Sequence, residues 1–451
     1  NLLTIPALRM PPHFIRFDLK SPTDCTFPNG AFPMGAYTAS QACLTAAQTA
    51  AGSSLAGLSA DPIQANPPAA YRMQYNLNIQ QELAQDTVLQ IGYVGGQARH
   101  LIAIDPDHNL ATGNAESGRL FFPHAGSASL ANAIDPLIAN SGGDGNAAQT
   151  RRNPFWNRMG LREFNGSATY HALQMSLNRR FTAGLRAQMS YTFSKSIDLA
   201  SATFTENQFQ NGQGPPYAPI PKLNRGPSDF NVAQSLQLNG TYDLPFEFDG
   251  GAGTFLNGWQ IGGIGSFMTG EAMYARHAGD WANTLTGRNS SGSGVQRPDL
   301  VGGASQKPSG GKVLQFNPAA FELPGASLVP GTPCGTGAGE ENTTSRCSAG
   351  GKPGVLGVLG NLGRNTMETT GYQTVDLVLT KNNYIPGISE DFNVQIRVEA
   401  FNALNRTTFD VPKTSQMSVF AGDGTPNSTA GKSNRTFTNS REVQLGLKLI
   451  F

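Results

Sequence analysis

The chain has 451 residues, with 32 basic and 31 acidic side chains, a net charge of +1 and only 14% charged residues. Ordinary globular chains carry roughly 25%, and the even balance excludes the basic face that a nucleic-acid partner needs. The 53 glycines and 29 prolines promise many turns and irregular loops. No apolar run approaches the roughly 18 residues of a transmembrane helix. A soluble chain of this length would divide into two or three domains. Asn1 brings no initiator methionine and no leader-like segment, so the sequence reads as a mature or, by preference, a truncated piece of a longer protein.

Residues 1–70 read as an irregular segment, with FIRFDLK at 14–20 as a candidate partial strand. From 71 onward a period of two takes over. Alternate residues of a strand face opposite sides, so each alternating stretch has one apolar and one polar face. Strands are expected near 71–83, 87–95, 168–181, 185–195, 233–245, 258–269, 372–381, 391–402 and 441–451. In the first, Tyr71, Met73, Tyr75, Leu77 and Ile79 alternate with Arg72, Gln74, Asn76, Asn78 and Gln80. In the last, REVQLGLKLIF, Val443, Leu445, Leu447, Leu449 and Phe451 share one parity, and Ile450 alone breaks the polar set.

A soluble sandwich alternates too. Three features point to a transmembrane barrel instead. The polar faces carry Gln, Asn, Arg and Glu, as a watery lumen would. Tyr71, Tyr93, Tyr191, Phe193, Tyr242 and Trp259 are expected near strand ends, as a girdle would be. Ten or so residues at about 3.3 Å, tilted about 45°, rise roughly 25 Å, the height of an outer-membrane apolar band.

The connections alternate short (84–86, 182–184, 247–257, 382–390) with long (96–167, 197–232, 270–371, 403–440). Outer-membrane barrels have short periplasmic turns and long external loops, and soluble domains seldom hold such long unstructured loops. The fold expected is all-β, an antiparallel transmembrane β-barrel with long external loops. The cysteines fall as two local pairs, Cys25 with Cys43 and Cys334 with Cys347, both in expected external loops. They are candidate disulfides of an oxidising compartment, with four free thiols as the alternative. An odd strand count leaves unpaired edges in lipid, so the chain is expected to be the C-terminal part of a larger barrel.

The blocks YNLNIQQELAQDTVLQIGYVGGQARHL, YHALQMSLNRRFTAGLRAQMSYTFSKSID, RGPSDFNVAQSLQLNGTYDLPF, GWQIGGIGSFMTGEAMY, GNLGRN and QIRVEAFNALNRTTFD resemble, in order, the barrel of TonB-dependent outer-membrane receptors. The closest branch is the Oar-like one, whose members carry a carboxypeptidase-regulatory-like domain. The resemblance covers about residues 70 to 451 and implies a barrel of about 22 strands around a plug. It also implies ligand import driven by the TonB complex through an N-terminal region that this sequence lacks. Phe451 would be the signal read by the barrel-assembly machinery, and lipid would meet the face from Val443 to Phe451. A passive porin-like or surface-structural barrel is the alternative.

No catalytic motif is present: GxSxG is missing, and so are HxxxH and HExxH among His13, His100, His108, His124, His171 and His277. No enzyme, cofactor or resident metal is expected. Asp105, Asp107 and His108 in DPDH have oxygen-rich, calcium-like chemistry, but a polar turn is the plainer reading. GVLGVLGNLGRN lacks the GK[ST] of a phosphate loop and reads as an external turn-rich segment carrying Arg364. Arg186, Asp376, Arg397 and Glu399 are candidate lumen-facing residues, close enough to pair across strands, although ordinary solvated pairs would look the same. The ligand, whether small molecule, peptide or oligosaccharide, is expected at the long loops.

Overall fold

A computed structural model describes residues 64, 66–104, 113–116, 119–122, 162–201, 217, 220–278, 282, 296–301, 303–308, 313–325, 358–385, 392–421 and 425–451. All four cysteines, the FIRFDLK stretch and the DPDH turn lie outside the described residues.

Nine strands form one antiparallel sheet in which each pairs with its neighbour in sequence. They are β1 (Tyr71–Ala84), β2 (Thr87–Ile104), β3 (Arg162–Thr182), β4 (Leu185–Asp198), β5 (Gln234–Asp243), β6 (Trp259–Met268), β7 (Tyr372–Tyr384), β8 (Asn393–Phe401) and β9 (Glu442–Ile450). Among the described residues, β1 and β9 end the sheet and do not pair with each other. β2 runs on to Ile104, past the end at 95 that alternation gives, and β3 starts before 168. Register shifts between Arg99 and Leu101 and between Leu101 and Ala103 explain the miss. His100 sits at φ 57, and such bulges keep the ladder while scrambling the period of two.

All the connections at one end are short. Between β3 and β4, Ala183 and Gly184 both have positive φ (52° and 77°), the pair of conformations a two-residue type I′ hairpin requires. Between β5 and β6 the Gly-rich segment forms a short helix, α1 (Gly250–Leu256), where glycine content predicts a turn. Its Phe255 is 76% exposed beside Phe246 and Phe248, and Trp259 Nε1 donates to the Phe255 carbonyl at 2.9 Å.

Directly paired residues point to the same side of a sheet, so the register sorts the side chains onto two faces. One row crosses seven strands as Gln81, Leu89, Leu177, Met189, Leu238, Gly265 and Val375. Another runs Tyr242, Ile261, Leu379, Val398 and Leu445. Opposite them lies a polar row: Gln80, Gln90, Ser176, Ser190, Gln237, Ser266 and Thr374. Among the described residues both faces stay largely open. Leu447 on the apolar face is 69% exposed, and every residue of β1 is exposed. Among the described residues no helix is long and apolar enough to cross a membrane.

The buried core lies elsewhere, among the long connections. Met273, Tyr274, Phe316, Phe321, Leu323, Met367, Met417 and Phe420 pack together there. Small ladders tie the segments: Ala272–Met273 with Met367–Glu368, Asp299–Leu300 with Phe321–Glu322, and Arg276–His277 with Ser418–Phe420. The long connections therefore build a cap with a core of its own.

Candidate functional site

Arg186, Asp376, Arg397 and Glu399 all fall on the polar face. Arg186 and Glu399 share one row, as Arg186, Thr241, Gly262, Val378 and Glu399. They are four strands apart in it, so the two charges do not pair. Arg397 does pair with Glu399, at 2.8 Å, but along β8 and not across strands. Asp376 Oδ1 accepts from the backbone N–H of Asn402 at 2.7 Å, which pins the end of β8 to β7.

Side-chain hydrogen bonds also join neighbouring strands elsewhere on the polar face. Ser266 Oγ donates to Gln237 Oε1 at 2.7 Å, and Gln260 Nε2 to Asp243 Oδ1 at 2.6 Å. Gln395 Nε2 donates to Asn382 Oδ1 at 2.9 Å. Such a surface presents donors and acceptors to water or a polar solute. Ile264, 55% exposed between Asn239 and Asp376, is an apolar exception.

The apolar face changes chemistry at both rims. On β3, His171 and Arg179 bracket Leu173, Met175 and Leu177 on that face. Their spacing is roughly 26 Å along the strand, or about 19 Å of height at a 45° tilt. Tyr93 Oη lies 2.7 Å from His171 Nδ1, and the two rings stack. Lys381 bends back at the short-turn rim to donate to the carbonyl of Asn382 at 3.2 Å. Cations and aromatics at the margins of an apolar band are what an interface with lipid headgroups selects. Of the expected girdle, Tyr71 and Trp259 begin their strands, whereas Tyr191 lies in the middle of β4.

The cap is fastened to the sheet by Arg364, which is 1% exposed. Its guanidinium donates to the carboxylate and carbonyl of Asp198 at the end of β4 and to the carbonyls of Gly226 and Pro227. Asn365, at φ 54, donates to Asp229 Oδ1 at 2.7 Å and to the Pro227 carbonyl at 2.8 Å. A Cβ on Gly226 would stand 2.5 Å from the Arg364 carbonyl, and one on Gly360 would stand 1.7 Å from the Arg297 carbonyl. Glycine is therefore required where the backbones touch. RGPSDF and GNLGRN, far apart in sequence, are the two halves of one clasp. Charge in a Gly-rich block was the signal available in the sequence. Its burial was not legible, because the partner block lies in another loop.

Beside the clasp, Arg297 lies over the Tyr274 ring at 5.0 Å and donates to the Leu223 carbonyl and to Asn224 Oδ1. Burial lowers its pKa to about 10, so it stays charged at neutral pH. Asp299 accepts from Arg119 at 2.7 Å and from the N–H groups of Gly325 and Asn361 at 2.8 Å. Burial lowers the pKa of His277 to about 4, against a backbone hydrogen bond to Ala278 that raises it. Glu271 is pushed up by burial and then by Asp410. Among the described residues no group of three His, Cys, Asp or Glu side chains could hold a metal.

A cleft of about 1210 Å³ opens where the cap meets β4, lined among others by Phe193, Lys195, Lys307, Gln315 and Glu368. A second depression, of about 470 Å³, lies on the apolar face between Leu177, Met189, Leu238 and Leu377. Its floor is made of Gly263 and Gly265.

A family model described as an outer membrane beta barrel domain matches residues 7–444. Among solved structures, the chain is similar to the outer membrane transporter YddB of Escherichia coli, at 10% identity and a TM-score of 0.34. That match covers 86% of this chain and 34% of the other. The FrpB iron transporter of Neisseria meningitidis gives 11% identity, 89% and 34% coverage, and a TM-score of 0.34. The pyoverdine outer membrane receptor FpvA of Pseudomonas aeruginosa PAO1 gives 9%, 85% and 30%, and 0.34. The chain spans about a third of the length of these structures. No curated protein matches it significantly.

Proposed function

The chain belongs to the outer membrane beta barrel domain family and resides in the outer membrane, and on that premise we propose that it is the C-terminal barrel portion of an Oar-like TonB-dependent receptor. In this reading it forms part of a conduit for an unidentified ligand and performs no catalytic step. One observation carries the proposal: an unbroken polar row from Gln80 to Thr374, crossing seven strands, behind an apolar face and beneath a cap of long loops.

Arg186, Asp376, Arg397 and Glu399 then line the lumen, and the long loops meet the ligand. Residues 1–70 are an external loop segment, and 71–451 supply the closing strands of a barrel of about 22. Among the described residues the outer edges of β1 and β9 carry no partner strand, which favours further strands, because each unsatisfied backbone group in hydrocarbon costs several kcal/mol. The plug and the segment that engages the TonB complex belong to regions outside this sequence. The cysteine pairs are loop disulfides. Phe451, 85% exposed with its ring 5.4 Å from that of Phe392, serves as the signal to the assembly machinery.

The test is the coding sequence upstream of Asn1. It should encode a plug, a TonB-engaging segment and further alternating strands. A leader peptide ending directly at Asn1 would overturn energised import and favour a passive porin-like or surface-structural barrel.

A further inference from the structure

The cleft beside β4 and the glycine-floored depression below it lie on the same, apolar side of the sheet. Register puts Lys195 in the row of His171 and Gly95, and Phe193 in the row of Leu173 and Tyr93. Pro227, which also lines the cleft, pairs with Ile197 of the same parity. Descending β4 on that face gives Lys195 and Phe193 in the cleft, then Tyr191, then Met189 and Ala187 in the depression. Lys195 and Lys307 supply two positive charges to the cleft against one carboxylate, Glu368. Among the described residues neither lysine has an ion-pair partner.

We propose that this track is a binding site for one phosphate-bearing membrane lipid, its headgroup between Lys195 and Lys307 and one acyl chain in the depression over Gly263 and Gly265. The proposal rests on the apolar face meeting lipid and is independent of the transport reading. The chemistry of the track carries the proposal. From Lys195 to Met189 the strand runs roughly 20 Å, or about 14 Å of depth at a 45° tilt. On β3 that matches the run from His171 to two residues short of Arg179, so the track spans most of the apolar band. Gly263 and Gly265 line the depression with Leu238, Phe267 and Leu377, and a Cβ on either glycine would stand about 3 Å from the Leu377 or Phe267 side chain. The lysines complement a phosphate at the depth where the headgroups begin.

The experiment is native mass spectrometry of the full-length protein after exchange into a mild, lipid-free detergent, with heat-dependent gel mobility as the folding control. The wild type should retain one phosphate-bearing lipid. The K195Q/K307Q pair should retain at least fivefold less. Val375→Phe, which fills the depression without touching the lysines, should also reduce retention. Arg99→Gln, on the same face and rim but outside the cleft, should leave it unchanged. Retention that survives both kinds of change, or that falls equally in Arg99→Gln, overturns the site. So does equal retention of an uncharged glycolipid supplied in its place.

Discussion

The sheet and its cap obey opposite rules. On the sheet the large apolar side chains are open: Leu445 is 76% exposed and Leu447 69%. In the cap, Phe316 and Met417 are fully buried, and so is the cationic Arg364 at 1% exposure. Among the described residues the sheet has no core between layers. Its strands are held by ladders, and its apolar face is satisfied by a medium outside the chain. The cap is built as a water-soluble domain is, with packed aromatics and paired buried charges. One chain therefore folds by two sets of rules, and Asp198, at the end of β4, is where they join through Arg364.

Removing that joint should give the largest effect. Truncating one partner of a buried ion pair costs about 3–5 kcal/mol. Arg364→Ala should therefore raise hydrogen exchange and protease cutting across 220–232 and 360–371, while the sheet keeps its heat-dependent gel mobility. Collapse of both regions together would mean that the cap holds the sheet in place, and the division would fail. A charge on the open face comes next. Leu236→Arg, in the row of Met175 midway between His171 and Arg179, should destabilise the membrane-inserted sheet by about 2–4 kcal/mol, the range for cations at the midplane of such barrels. Denaturant titration in liposomes would read this, with cap proteolysis unchanged.

The third effect is confined to pH. His277 is held neutral in the cap, with its pKa lowered to about 4 by burial, against about 6.5 in the unfolded chain. Between those values the unfolded cap takes up a proton that the folded cap refuses. Cap stability should thus fall as pH drops from about 6.5 to about 4 and level off below. Glu271, raised by burial and by Asp410, acts in the opposite sense, since the folded cap keeps its proton above the usual carboxylate pKa. His277→Gln separates the two, and the slope of cap hydrogen exchange with pH should flatten in it. The smallest effect belongs to Arg397→Gln. The Arg397–Glu399 pair is 43% and 23% exposed, and exposed pairs contribute about 0–1 kcal/mol. A larger loss in thermal unfolding would show the polar face to be less hydrated than its exposure indicates.

The sheet was legible in the sequence because one face of each strand is apolar, which imposes a period of two. Alternation lost the end of β2 where bulges reset it, at Arg99 to Ala103. Ile450, the exception in the terminal strand, pairs with Asn393 at the last rung of the ladder. The cap was not legible. Met273, Phe316, Phe321 and Phe420 follow no period, because they come from short segments whose burial depends on other loops. Arg364 was read as part of an external turn, and its carboxylate partner Asp198 lies more than 160 residues away in sequence.

The claim that one face of this sheet meets lipid and the other water is tested most directly by a spin-label scan. Single cysteines would be placed along 235–242 of β5 in a cysteine-free background, reconstituted in bilayers. Leu236, Leu238 and Tyr242 should favour oxygen, while Gln237, Asn239 and Thr241 should favour a water-soluble nickel relaxant, with a period of two. Equal access of both relaxants at neighbouring positions, or protection of both parities, would contradict it.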